Sequence, residues 1–191
     1  MNSSQPSSEQ RFDSALFDLL PHRPPMLLIN RVLSLSASES SAEVWIDAEA
    51  PFYSETILQG VQERQDEQPA GIPAWVGLEY MGQTAALIAG YQLQQGLTQP
   101  HLGFLLGSRR FTSHVTHFAA DSKLLISCVE KALVGDSLAT FDCEIRLVTD
   151  IVTTSGEAGQ LLASATLSVL RKPLEQSQPA APLDNTAGTK T

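Results

Sequence analysis

An α+β fold, with an antiparallel sheet laid over one long helix, is what this sequence predicts. Three observations predict it: an almost unbroken apolar stretch from Trp75 to Tyr91 with helical end signals, a clean apolar–polar alternation from Leu138 to Leu147, and a second alternation from Ala163 to Val169. A sheet with one apolar face must be covered, and the long helix is the only large object available to cover it. At 191 residues and 42% hydrophobic content the chain has the size and core of one domain, 11–172. Residues 1–10 are polar, and 173–191 is dominated by Ser, Gln, Pro, Ala and Thr without apolar periodicity. Both ends are expected to be disordered.

Phe12, Ala15, Leu16, Leu19 and Leu20 recur at helical spacing, and Pro21 stops that helix because proline removes a donor and clashes with the preceding turn. Pro25 to Leu35 and Ala42 to Ile46 read as paired strands. Pro51 to Ile72 is too long for a turn, with a helical turn allowed within Glu55 to Arg64; connections of that length are usually functional or mobile. Pro73 suits the first turn of the central helix and Gly96 the left-handed position after its end, giving roughly 22 residues and over 30 Å. Gln92, Gln94 and Gln95 make its far end polar, so the helix is expected to enter the protein buried and leave it wet. Leu102 to Phe111 supplies another strand. A two-residue hairpin turn at Gly135-Asp136 pairs residues whose numbers sum to about 271, which sets Leu124 against Leu147, Ile126 against Ile145 and Cys128 against Cys143. A disulfide between those cysteines is sterically allowed, but a reducing compartment argues for two free core thiols.

The net charge of −9 and pI near 4.8 argue against nucleic acid or an anionic membrane as partner. No signal-peptide core and no run of eighteen apolar residues occurs, so a cytoplasmic protein is expected. There is no Gly-rich phosphate loop and no G-x-S-x-G elbow. His114, His117 and Asp121 form an HxxH-like cluster, but on a strand that spacing sends the two rings to opposite faces, so no metal is expected. His101 reads as solvated, and Asp47, Glu55 and Glu63 as surface charges. The residue that most needs explaining is Glu79. An ionised carboxylate buried without partners in an apolar helix costs several kcal/mol or takes up a proton.

Two segments carry a family likeness. Leu20-Pro21-His22-Arg23-Pro24-Pro25-Met26-Leu27-Leu28-Ile29-Asn30-Arg31-Val32-Leu33 resembles the LPHR-x-P-hydrophobic-D-R-V opening of FabZ-type 3-hydroxyacyl-[acyl-carrier-protein] dehydratases. Pro73-Ala74-Trp75-Val76-Gly77-Leu78-Glu79-Tyr80-Met81-Gly82-Gln83 resembles that family's central-helix motif, P-G-V-x-x-x-E-x-M-x-Q, at its proline, glutamate, methionine and glutamine. Together with Gly103 to Arg110, the likeness extends to the ApeP-like branch, the partner-type dehydratase subunits of aryl-polyene gene clusters. The resemblance implies a hotdog fold and dimers with active sites at the subunit interface. In FabZ-type enzymes a histidine in an FxGHFPG-like loop of one subunit works with the helix glutamate of the other. Here that loop reads Pro51-Phe52-Tyr53-Ser54-Glu55-Thr56 and has no histidine. His22 matches the non-catalytic LPHR histidine, and its expected role is to organise the turn after the first helix.

Dehydration of a 3-hydroxyacyl thioester removes an α-proton, protonates the departing hydroxyl and builds negative charge on the carbonyl oxygen. The resemblance therefore assigns Glu79 as the acid or base, opposite a histidine supplied by a FabZ-like partner. Gln83, one turn on, would orient it. Backbone amides of Val76 and Gly77 would hold the carbonyl, and small Gly77 and Gly82 would leave room for the acyl chain. Arg109 and Arg110 are the basic spot for an acidic acyl carrier protein, whose phosphopantetheine arm carries the substrate without any further cofactor. The competing readings are a non-catalytic stabilising or carrier-binding partner, in which Glu79 only bonds across an interface, and a hotdog acyl thioesterase.

Overall fold

A computed structural model of the chain describes residues 11–55, 70–135, 137–148 and 159–174. The expected disordered ends lie outside these residues apart from 173 and 174, as do the helical turn proposed beyond Glu55 and the side chain of Glu63.

The first helix, α1, is shorter than its apolar pattern, Ala15–Leu19, and buries Leu16. Just before the helix, Asp13 Oδ1 accepts from the Ala15 N–H at 3.1 Å, a local side-chain turn that leads the chain into it. The strand expected from Pro25 onward begins only at Arg31: β1 is Arg31–Leu35. Pro25 removes a donor from its first part, and the Leu28 N–H is used by the Gln83 side chain instead of a ladder. Strand β2, Glu39–Ile46, pairs with β1 on one side and with a later strand, Ser122–Val134, on the other. A short β3, Gly71–Pro73, leads into a 3-10 turn, Ala74–Val76, which continues as the long helix α2, Gly77–Gln94. The end of α2 is as the sequence predicts. Gly96 takes φ +67, and the Gly96 and Leu97 N–H groups return to Leu93 and Gln92 carbonyls, which closes the last turn.

The strands β4 (His101–Ser113), β5 (His117–Ala119), β6 (Ser122–Val134), β7 (Leu138–Leu147) and β8 (Leu161–Pro173) follow. Six strands form one antiparallel sheet in the order β1-β2-β6-β7-β8-β4, while β3 and β5 pair separately. This sheet wraps α2 in the hotdog arrangement. Ala139, Phe141, Cys143 and Ile145 are all buried against the helix, as their alternation requires. Two bonds pin helix to sheet: Ser40 Oγ donates to the Thr84 carbonyl at 2.7 Å, and Cys128 Sγ to the Met81 carbonyl at 3.4 Å.

The β6–β7 register holds with one change at the turn. Cys128 lies opposite Cys143, Ile126 opposite Ile145 and Leu124 opposite Leu147. Next to the loop, however, Val134 pairs with Leu138, so three residues rather than two connect the strands; a bulge between Glu130 and Ala132 absorbs the difference. Both cysteines are free and buried. Burial, with the Cys143 thiol alongside, pushes the Cys128 thiol up from its ordinary value.

Candidate active site

The apolar composition of α2 conceals a groove. Tyr80, Met81, Thr84, Leu87 and Ile88 point into the core, while Glu79, Gly82, Ala86 and Gly90 follow one another at intervals of three or four, with Ala89 beside the last, along an incompletely buried stripe. That stripe forms a wall of a cleft of about 680 Å³. The opposite walls come from the end of α1, from Leu102, Gly103 and Leu105 on β4, and from Phe141 and Val169. Its volume is within the range of small-molecule sites, about 300–1,000 Å³. The Arg171 guanidinium, also in the lining, bonds Glu130 Oε2 at 2.9 Å, and Gln92 Nε2 reaches the same oxygen at 3.2 Å. Gln92 is thirteen residues beyond Glu79. The cleft thus runs about 20 Å along the helix from Glu79 to Arg171.

Glu79 is not buried as its neighbours imply; within this chain its side chain is 41% exposed. The reason is the stripe of small residues, which leaves the helix open on that side. Gln83 takes the orienting position expected of it. It is buried, donates from Nε2 to Glu79 Oε1 at 2.9 Å and to the Met26 carbonyl at 2.8 Å, and accepts the Leu28 N–H on Oε1 at 2.9 Å. The amide therefore has both ends fixed and holds the carboxylate from behind. These bonds join the two family-like segments directly, since Met26 and Leu28 belong to the first and Gln83 to the second.

His22 is the site member that sequence reasoning misplaced. Its Nε2 lies 3.7 Å from Glu79 Oε1. The turn it was expected to organise is held by Arg23, which donates to the Leu20, His22 and Phe17 carbonyls at 2.8, 2.8 and 3.0 Å. His101, expected to be solvated, lines the Arg171 end of the cleft, with Nδ1 2.9 Å from the Gln99 carbonyl.

The expected carbonyl-holding group is arranged differently. A Cβ on Gly77 would come within 2.8 Å of Ile145 Cδ1 and 3.1 Å of the Phe118 ring, so its smallness seats the helix on the sheet instead of making room for a chain. The Gly77 N–H already donates to the Ala74 carbonyl. Val76 is buried, and neither residue lines the cleft. Gly82 does provide space: a Cβ there would meet nothing nearer than Leu105 Cδ2 at 3.9 Å. Arg109 is exposed on β4, and Arg110 shares a separate depression with Asp142 and Glu144. Among the described residues no group of three or more His, Cys, Asp or Glu side chains is placed to hold an ion. None of the helices in the described residues is long and apolar enough to cross a membrane.

Comparison with known proteins places this geometry. The chain is similar to a solved structure described as the dehydratase heterocomplex ApeI:P from Xenorhabdus doucetiae, with 23% identity, 84% of this chain and 91% of that chain covered, and a TM-score of 0.62. Weaker likenesses, which carry no argument, include a hypothetical thioesterase with coenzyme A from Streptococcus pneumoniae (11% identity, 75% and 85% covered, TM-score 0.47). Another is the E. coli PaaI protein of the phenylacetic acid degradation operon (12% identity, 74% and 82% covered, TM-score 0.46). No curated protein matches the chain by sequence. The ApeP-like family, described as ApeP dehydratase, matches residues 14–180, and the chain belongs to that family.

Proposed function

We propose that this chain is the glutamate-bearing subunit of a heteromeric 3-hydroxyacyl-[acyl-carrier-protein] dehydratase, acting in the cytoplasm in aryl-polyene or fatty-acid type synthesis. The observation that carries the reading is a carboxylate, Glu79, fixed by Gln83 at the head of an apolar cleft about 20 Å long. An acyl chain lying along the small-residue stripe would bring its thioester end to that carboxylate. Glu79 then gives a proton to the departing hydroxyl, or takes the α-proton, while an imidazole performs the complementary transfer. The products are the enoyl thioester and water.

The complementary imidazole is assigned to a partner. Pro51 to Glu55, which corresponds to the histidine loop of FabZ-type enzymes, contains none. A docking edge is available: among the described residues β4 pairs only with β8, and Leu102, Phe104 and Leu106 on it are each at least 47% exposed. An edge strand of that length with exposed apolar side chains invites another strand. The similar ApeI:P structure is itself a heterocomplex, which supports a partner here. We assign Arg109 and Arg110, further along the same strand, to the acidic carrier protein.

The test is Glu79→Gln in the chain co-purified with its FabZ-like partner, assayed with a 3-hydroxyacyl carrier-protein substrate. Turnover should fall by about 10²–10⁴-fold, the usual contribution of a positioned acid or base. Undiminished turnover would leave the chain a non-catalytic partner. Free thiol released from an acyl thioester by the chain would instead identify a thioesterase.

A further inference from the structure

Among the described residues, one buried side-chain nitrogen or oxygen has no hydrogen-bond partner: His22 Nδ1. Buried polar atoms are almost always paired, so an exception asks for an explanation. A histidine kept to organise its turn would use that nitrogen on the turn's backbone. Here the backbone is satisfied without it. Arg23 bonds three carbonyls of the turn, and its own carbonyl accepts from the Met26 and Leu27 N–H groups at 2.9 and 3.0 Å. Among the described residues, the ring's charged contact is the Glu79 carboxylate.

A neutral imidazole has one N–H and one lone pair. Placing the hydrogen on the enclosed Nδ1 gains no bond, whereas placing it on Nε2 directs it at a carboxylate oxygen 3.7 Å away. That separation is too long for a hydrogen bond; a movement of under about 1 Å would make one. Glu79 Oε1 thus faces two donors, His22 Nε2 and Gln83 Nε2, the latter already bonded at 2.9 Å. Both approach the same oxygen, which leaves Oε2 for the substrate.

We propose that His22 is a positioning residue for Glu79: with Gln83 it clamps Oε1 and so presents Oε2 to the thioester. The proposal rests on the dehydratase reading for its kinetic consequence, but the contact itself is independent of it. It differs from the trans pairing with a partner's loop histidine, since all three groups, His22, Glu79 and Gln83, belong to one chain.

Two measurements test it. In ¹⁵N NMR of the full chain, the His22 imidazole resonances, identified by their loss in His22→Gln, should move when Glu79 is replaced by glutamine; unmoved resonances would overturn the contact whatever reaction the protein runs. In the complex, His22→Ala should lower kcat at least about tenfold with KM changed less than twofold, because a carboxylate displaced by an ångström is presented wrongly. His22→Gln, whose amide nitrogen can reach where Nε2 stands, should restore most of that loss, and His22→Asn, which is too short, should not. Wild-type kcat in His22→Ala, or equal impairment in the Ala and Gln variants with unchanged melting and complex formation, would overturn the proposal. If Glu79→Gln remains inactive in those cases, the dehydratase reading survives; if Glu79→Gln is fully active, that reading itself has failed.

Discussion

Two acids are held in opposite ways: Glu79 in the wall at one end of the cleft, and Glu130 behind the Arg171 that lines the other end. Glu130 is 12% exposed, its Oε2 bonded by a 7% exposed Arg171 and by Gln92. Glu79 is 41% exposed, with one hydrogen bond among the described residues, from Gln83, and the His22 imidazole 3.7 Å away. A carboxylate whose charge is matched and enclosed contributes to structure and has no capacity left for chemistry. One that is anchored on a single oxygen and open on the other can exchange a proton. The contrast sets the end of the cleft proposed to work apart from the end that holds structure.

Swapping the tests sharpens the contrast. Glu79→Gln should abolish nearly all turnover in the complex while leaving stability within about 0.5 kcal/mol, since the side chain is open to solvent and glutamine still accepts from Gln83. Glu130→Ala should do the reverse. It strands the Arg171 guanidinium, and urea unfolding should show a loss of about 3–5 kcal/mol, with kcat little changed in the fraction that remains folded. If Glu130→Ala proves neutral for stability, the two ends are not distinguished as argued.

Gln83→Leu affects both properties. It leaves the Leu28 N–H and Met26 carbonyl unsatisfied, which should cost about 1–3 kcal/mol in denaturant melts, and it releases Glu79, so kcat should also fall. The two glycines of the stripe offer a smaller, paired test. A Cβ on Gly90 would meet the Leu19 carbonyl oxygen at 2.2 Å, where α1 crosses α2, so Gly90→Ala should destabilise by about 1–3 kcal/mol. Gly82→Leu has room and should leave the melting temperature nearly unchanged while shifting the substrate preference toward shorter acyl chains, read from kcat/KM across a chain-length series. The smallest effect is expected at the rim: Arg109→Glu with Arg110→Glu should raise KM for carrier-borne substrate several-fold at low salt, with the difference shrinking as salt is added.

Much of this architecture was legible in residue order. The alternation along Leu138–Leu147 and the helical span ending at Gly96 are local patterns, and local patterns survive into the fold. Pairing Cys128 with Cys143 followed from the hairpin even though its loop has three residues, because a one-residue slip would turn Phe141 and Ile145 out of the core. Glu79 and Gln83 were readable as a pair because one helical turn separates them. The LPHR-like segment was less transparent. Its prolines hid the fact that Met26 and Leu28 serve as hydrogen-bonding groups for Gln83, and its histidine was read as part of the turn because nothing in the order of residues shows which way a ring points.

What the sequence determined by itself is periodic: strand alternation, helix limits and the single acid in an apolar helix all arise from interactions within a few residues along the chain. What only tertiary structure decided is the surroundings of that acid, open to a cleft instead of buried, and approached by His22 from 57 positions away. Side chains brought together by packing across such a distance leave no repeating trace in the sequence, because each satisfies its own local pattern whether or not the other is present.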